Sequence, residues 1–185
     1  MSFAPDTLVA LGSVVNLINT SEADVDGLLT RADLDEFLRR EQYTGSRAHT
    51  LGELRAVRQL RATLRAIWLA DEDAAVSAVN NILRNARALP QLVKHDHWDY
   101  HLHADAPGAP LAERMAVEAA MALVDVLRSG ELDRLRVCAA ESCGAVVLDL
   151  SRNRSKMYCD TGNCANREHV RAYRQRKAAS AGPAA

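Results

Sequence analysis

Four cysteines carry the most specific chemistry in this chain, and they fall into two pairs of one spacing. Cys138 and Cys143 stand as C-x4-C, and Cys159 and Cys164 repeat that spacing after fifteen intervening residues. The chain has no other cysteine. Two short-spaced thiol pairs separated by a turn-rich segment supply the donors of a tetrahedral zinc site with four sulfur ligands. Four thiolates fill the coordination sphere and leave no open position for water, so the ion is expected to be structural and the chain not an enzyme. His169, about one turn beyond Cys164, reads as a helix-surface residue.

Arginines follow the last cysteine closely. A helix from about Asn163 to Lys177 would place Arg167, Arg171 and Arg174 at i, i+4 and i+7, with Arg176 and Lys177 beyond. Val170 and Tyr173 are expected to pack back on the preceding segment. Arg152, Arg154 and Lys156 in the loop before Cys159 would extend the basic surface. Such a surface can neutralise several phosphates, and an arginine fork can read a guanine edge. A solvated helix face is the plainer alternative, and adjacency to a metal-folded module favours nucleic acid.

A third cluster is His95-Asp-His97-Trp-Asp99-Tyr-His101-Leu-His103. As a strand it would put four histidines and Asp99 on one face, and Trp98, Tyr100 and Leu102 on a core-facing side. The imidazole row could bind a metal or an anion, or it is simply the polar face of a half-buried strand.

These residues need elements to hold them. Leu135–Val137 reads as a short strand delivering Cys138. Val146–Leu148 and Lys156–Tyr158 read as two strands of a hairpin around 151–155, and Asp160–Asn163 turns into the helix holding Cys164. Knuckle, hairpin and helix make a treble clef. So small a module buries too little apolar area to fold unaided, and zinc binding, at roughly 10–16 kcal/mol, would supply the difference.

Before it, helical periodicity marks residues 6–19 (Leu8, Leu11, Val15 and Ile18 inward, Asp6 capping) and 31–41 behind Thr30. Thr50 opens a helix to about Ala70 with Leu51, Leu54, Val57, Leu60, Leu64, Ile67 and Trp68 as its stripe. Its arginines form an outer face that the acidic loops could pair. Asp71-Glu-Asp begins another helix, and Pro110 to Ser129 frames one more, stopped by Gly130.

Apolar residues at 48% and charged residues at 25% suit a globular protein. No apolar run approaches the roughly 18 residues of a membrane span. The N-terminus shows no secretion signal, and four cysteines in the reducing cytoplasm that this implies favour metal over disulfides. Residues 1–130 hold 13 Lys+Arg against 18 Asp+Glu, whereas residues 131–185 hold 10 against 6. Only the C-terminal part is therefore suited to a polyanion.

The stretches Ser151-Arg-Asn-Arg-Ser-Lys-Met-Tyr-Cys159, Cys164-Ala-Asn-Arg167 and Val170-Arg-Ala-Tyr-Arg-Gln-Arg176 resemble the CGNR zinc finger family of bacterial proteins. Alanine replaces the glycine of Cys-Gly-Asn-Arg, which a helical first turn accepts. In that family the finger follows an ABATE domain of mixed α/β fold, whose start Val15-Asn-Leu-Ile-Asn-Thr20 resembles. The resemblance implies a stress-related transcription regulator with a DNA-binding finger.

The expectation is thus an α+β, mostly helical chain. It has an ABATE-like domain with a small β element over 1–130, a treble-clef finger over 131–178 and a loose tail over 179–185. Zn2+ is held by Cys138, Cys143, Cys159 and Cys164. DNA meets Arg152, Arg154, Lys156, Arg167, Arg171 and Arg174, while the N-terminal domain senses a small molecule, contacts a protein or dimerises. The alternative is a zinc-stabilised protein-interaction or RNA-binding module.

Overall fold

The computed structural model describes residues 3–22, 26–94, 99–106 and 108–180. Among them α1 spans Pro5–Asn19, α2 Arg31–Arg40, α3 Leu51–Trp68, α4 Glu72–Asn85, α5 Leu111–Arg128 and α6 Cys164–Ser180. Two antiparallel strand pairs complete the architecture: β1 (Gln91–Val93) with β2 (His101–His103), and β3 (Leu135–Val137) with β4 (Val146–Leu148). The fold is α+β and mostly helical.

Local chemistry explains where the helices start. Thr30 accepts a hydrogen bond from the Asp33 N–H, and the Asp33 carboxylate accepts one from the Thr30 N–H, a reciprocal capping box. Thr50 and Asp71 cap α3 and α4 by accepting from the N–H groups of Glu53 and Ala74. In α1, Asp6 is not the cap. The helix begins at Pro5, whose fixed φ and missing N–H suit a first helical position, and Asp6 falls inside the first turn.

The middle of the fold is α5, packed on α1, α3 and α4, while α1 also packs on α3 and β4. Leu11, Ile18, Phe37, Leu64, Met115 and Leu123 contribute to one buried core. Leu51 is an exception to the α3 stripe, 58% exposed at the first helical position. Three arginines of α3, one of them the buried Arg61, meet the acidic loop after α1. Arg61 grips Asp26 with both terminal nitrogens at 2.7 and 2.8 Å, Arg58 approaches the same carboxylate at 3.4 Å, and Arg65 pairs with Glu22 at 3.0 Å.

β4 is buried along its whole length. Val146 and Leu148 join the helical core, and Val147 between them joins the cluster around the cysteines, as the period of two along a strand requires. Asn19, the last residue of α1, reinforces this junction. Its Nδ2 donates to the Val146 carbonyl at 3.0 Å and its Oδ1 accepts from the Val146 N–H at 2.7 Å. The side-chain amide thus supplies the pairing that a neighbouring strand would give. Trp68 Nε1 donates to the Arg136 carbonyl at 3.0 Å, and Arg65 donates to the Gly144 carbonyl at 2.9 Å.

The histidine-rich strand is shorter than its alternation suggested, and His95, His97 and Trp98 lie outside the described residues. β2 covers only His101–His103, with Leu102 opposite Leu92. Its expected core side is reversed: Tyr100 is 73% and Leu102 49% exposed, while His101 and His103 are half-buried. The polar side finds partners that alternation alone does not reveal. The two imidazoles meet Nε2 to Nε2 at 2.9 Å, and His103 Nδ1 lies 3.4 Å from Asp105.

Candidate metal centre and nucleic-acid interface

β3 and β4 form a hairpin whose loop carries the first thiol pair. Leu135 faces Leu148 and Val137 faces Val146 across the ladder. Beyond it the Cys138 N–H donates to the Ala145 carbonyl at 2.8 Å, and the Cys143 N–H to the Ala140 carbonyl at 3.0 Å, folding 138–143 into a knuckle. The hairpin expected between 146–148 and 156–158 does not form. Asp149, wholly buried, accepts from the Ser151 N–H and Oγ at 2.9 and 2.6 Å and from the Lys156 N–H at 3.0 Å. Those bonds close 149–156 into a loop and take the donor that a ladder would have used. Burial works against ionisation of Asp149, but the donors from Ser151 and Lys156 and the Arg136 charge outweigh it and hold its pKa below the usual carboxylate range.

The same loop returns the chain to the knuckle, where the Ala139 N–H donates to the Met157 carbonyl at 2.8 Å. Cys159 follows, and Asn163 adopts a left-handed φ of 50°, a conformation asparagine tolerates. Its carbonyl accepts the Arg167 N–H at 3.1 Å, so α6 begins with Cys164 in its first turn.

All four Sγ atoms lie within 4.8 Å of one another, with Cys143 and Cys159 at 3.7 Å and Cys159 and Cys164 at 3.6 Å. Sulfurs about 2.3 Å from a tetrahedral zinc would stand roughly 3.8 Å apart. None of the four is in a disulfide. The cluster therefore fits a zinc ion in both donor type and spacing. Burial pushes the Cys143 thiol up to about 12, whereas Cys159, though burial works the same way, is brought down to about 6 by donors from Thr161, Cys164 and the Gly162 backbone. Arg167 Nη2 donates to Cys164 Sγ at 3.1 Å, offsetting negative charge on the sulfurs. Gly162 leaves little room beside them, since a methyl there would sit 3.2 Å from Cys164 Sγ.

The six cationic residues expected to meet phosphate divide into two groups. Arg154 is tied to Glu131 and Asp133, Lys156 to Asp160 at 2.6 Å, and Arg171 to Glu141. Arg152 and Arg174 have no ion-pair partner among the described residues, and Arg167 spends one donor on sulfur. Arg167, Arg171 and Arg174 do share one face of α6, where Asn163, Asn166 and Gln175 join them along a shallow groove of about 500 Å³. Val170 and Tyr173 do not pack back. They are 48% and 59% exposed, because the knuckle and the 149–158 loop cover the sulfurs without reaching that side of α6.

Sequence reasoning missed the support beneath this surface. Arg134, buried, donates to Glu131 and to the carbonyls of Asp149 and Ser151, fixing the loop from below. Arg134, four residues before Cys138, belongs to no pattern that would have announced this.

Fold and site together define a helical domain joined through a shared strand to a four-cysteine finger. Residues 13–130 match the ABATE family, described as "Putative stress-induced transcription regulator", and residues 134–177 match the CGNR zinc finger. The chain belongs to the ABATE family, and its CGNR finger follows the ABATE domain. No curated protein matches it. Both families describe regulatory or zinc-finger domains rather than enzymes, and together they support a regulator of transcription. Among the described residues no helix is long and apolar enough to cross a membrane.

Proposed function

We propose that this protein regulates transcription by binding DNA through the exposed face of α6. In this reading Cys138, Cys143, Cys159 and Cys164 hold a zinc ion that folds the finger and takes no part in chemistry. The observation that carries the reading is the run Arg167, Arg171 and Arg174 on one helix face, flanked by the amides of Asn163, Asn166 and Gln175. Guanidiniums on that face would neutralise phosphates, and the amides would add hydrogen bonds to backbone or base edges. Arg152, in the loop before Cys159, would add a further phosphate contact. Arg171 must exchange Glu141 for phosphate, so its net contribution is smaller than that of Arg174.

The test is a salt titration of binding to mixed-sequence duplex. Affinity should fall steeply with salt, and Arg174→Ala should reduce the slope by about one unit. An Arg152→Ala/Arg174→Ala variant with unchanged affinity and slope would sink the reading. Exposed Tyr173 beside these arginines favours a second one, since an aromatic ring next to cations stacks unpaired bases. Single-stranded RNA that outcompetes duplex DNA, with the advantage lost in Tyr173→Ala, would select it.

A further inference from the structure

The histidines of β2 carry an arrangement that the finger does not use. His101 and His103 lie on one side of the strand, as its period of two requires, and their rings meet edge to face with centroids 4.8 Å apart. Their neighbours fix how each ring is turned. His101 Nδ1 lies 2.7 Å from the Asp99 carbonyl, and His103 Nδ1 lies 3.4 Å from the Asp105 carboxylate. Carbonyl and carboxylate oxygens only accept, so the proton of each neutral ring belongs on Nδ1. Each Nε2 then presents a bare lone pair, and the two Nε2 atoms stand 2.9 Å apart.

Two lone pairs at that distance repel unless a positive charge lies between them. A proton would serve, turning one ring into an imidazolium, and so would a metal ion. The geometry fits a metal on two counts. Nitrogens roughly 2.0–2.1 Å from one ion and 2.9 Å apart subtend about 90° at it, the angle between neighbouring ligands of an octahedral or square-planar ion. Each Nδ1 is turned to a backbone carbonyl or a carboxylate, the partners that set the tautomer of metal-binding histidines. Both rings also line a cavity of about 580 Å³, where Asp6, Glu41, Glu118 and Asp125 outnumber Arg39 and Arg114, a balance that favours entry of a cation. Among the described residues only the cysteines converge as a group of three or more metal-ligating side chains. The histidine pair therefore supplies two ligands and solvent the rest.

We propose that His101 and His103 bind a divalent, nitrogen-preferring transition-metal ion of the Ni2+ type through their Nε2 atoms. In the metal-free chain a shared proton holds the same place. The ion keeps coordination positions open to water or to a small donor molecule. An imidazole pair and a thiolate cage differ in softness, so nickel and zinc can occupy the two sites side by side. Neither histidine belongs to the finger, so this site and DNA recognition stand or fall separately.

Calorimetric titration of Ni2+ into the zinc-loaded full-length protein at pH 7.5 tests this. One nickel should bind per chain with Kd of about 100 μM or tighter, and the zinc should stay in place. His101→Ala and His103→Ala should each weaken binding by about tenfold or more, since each removes one of the pair. His95 and His97 belong to the same histidine-rich stretch, and a His95→Ala/His97→Ala variant separates this pair from chelation by the stretch at large. It should keep the wild-type affinity within about threefold. Nuclear magnetic resonance of the wild-type protein provides a readout that needs no variant: ring signals of His101 and His103 should shift or broaden before any others. The proposal is overturned by no binding at about 1 mM Ni2+ or by displacement of zinc in place of a second bound metal. Binding that survives both single substitutions, a loss of about tenfold in His95→Ala/His97→Ala, or signal changes centred elsewhere would each overturn it too.

Discussion

Asn19→Ala is the sharpest test of how the two parts of the chain are joined. The substitution removes the amide that satisfies both the N–H and the carbonyl of Val146, at 2.7 and 3.0 Å. Val146 has no exposed surface and Asn19 is only 7% exposed, so water has little access to the orphaned groups. Each buried unpaired group costs about 1–3 kcal/mol, which puts the variant roughly 2–6 kcal/mol below wild type. Against a total of about 5–15 kcal/mol, that is a large share of the stability. Urea unfolding of zinc-loaded protein, followed by far-ultraviolet circular dichroism, measures it as a lower midpoint at unchanged slope. Asn19→Asp keeps the acceptor for the N–H but sets a carboxylate against the carbonyl, and should be at least as damaging at pH 7. A loss under about 0.5 kcal/mol in Asn19→Ala would refute the reasoning, because it would mean that Val146 needs no partner in α1.

Three further outcomes follow from the geometry. Gly162→Ala puts a methyl 3.2 Å from Cys164 Sγ and should speed zinc loss to a chelator by about tenfold, read with a colorimetric zinc indicator. Asp26 has a folded pKa of about 2, below its ordinary 3.8, so its stabilisation is complete above about pH 4 and lost as pH falls toward 2. That window holds roughly 2 kcal/mol, and Arg61→Ala should flatten it in urea midpoints taken from pH 2.5 to 6. Arg154→Ala breaks the contacts with Glu131 and Asp133 and should lower thermal stability by a few degrees, while changing DNA affinity less than Arg174→Ala does.

Much of this was legible in the chain because it rests on local rules. Cysteine spacing identified four thiols that do converge, and Thr30, Thr50 and Asp71 marked helix starts because capping depends on neighbours in sequence. The misreadings share another origin. Lys156–Tyr158 looks like a strand until Asp149 takes its N–H, and nothing near Lys156 reveals that Asp149 is buried beneath it. Tyr100 and Leu102 look inward-facing by alternation, yet a two-stranded ribbon leaves the choice of face to its surroundings. The arginines of α6 were visible as charges, but Glu141, thirty residues from Arg171, decides how free one of them is.

The division of β4 between two interiors bears on any attempt to transplant the finger. A fragment starting near residue 131 would carry Val146 and Leu148 with nothing to cover them and a Val146 peptide group stripped of its amide clasp. Such a piece could still load metal and yet stick to its own copies, so DNA-recognition experiments call for the whole chain.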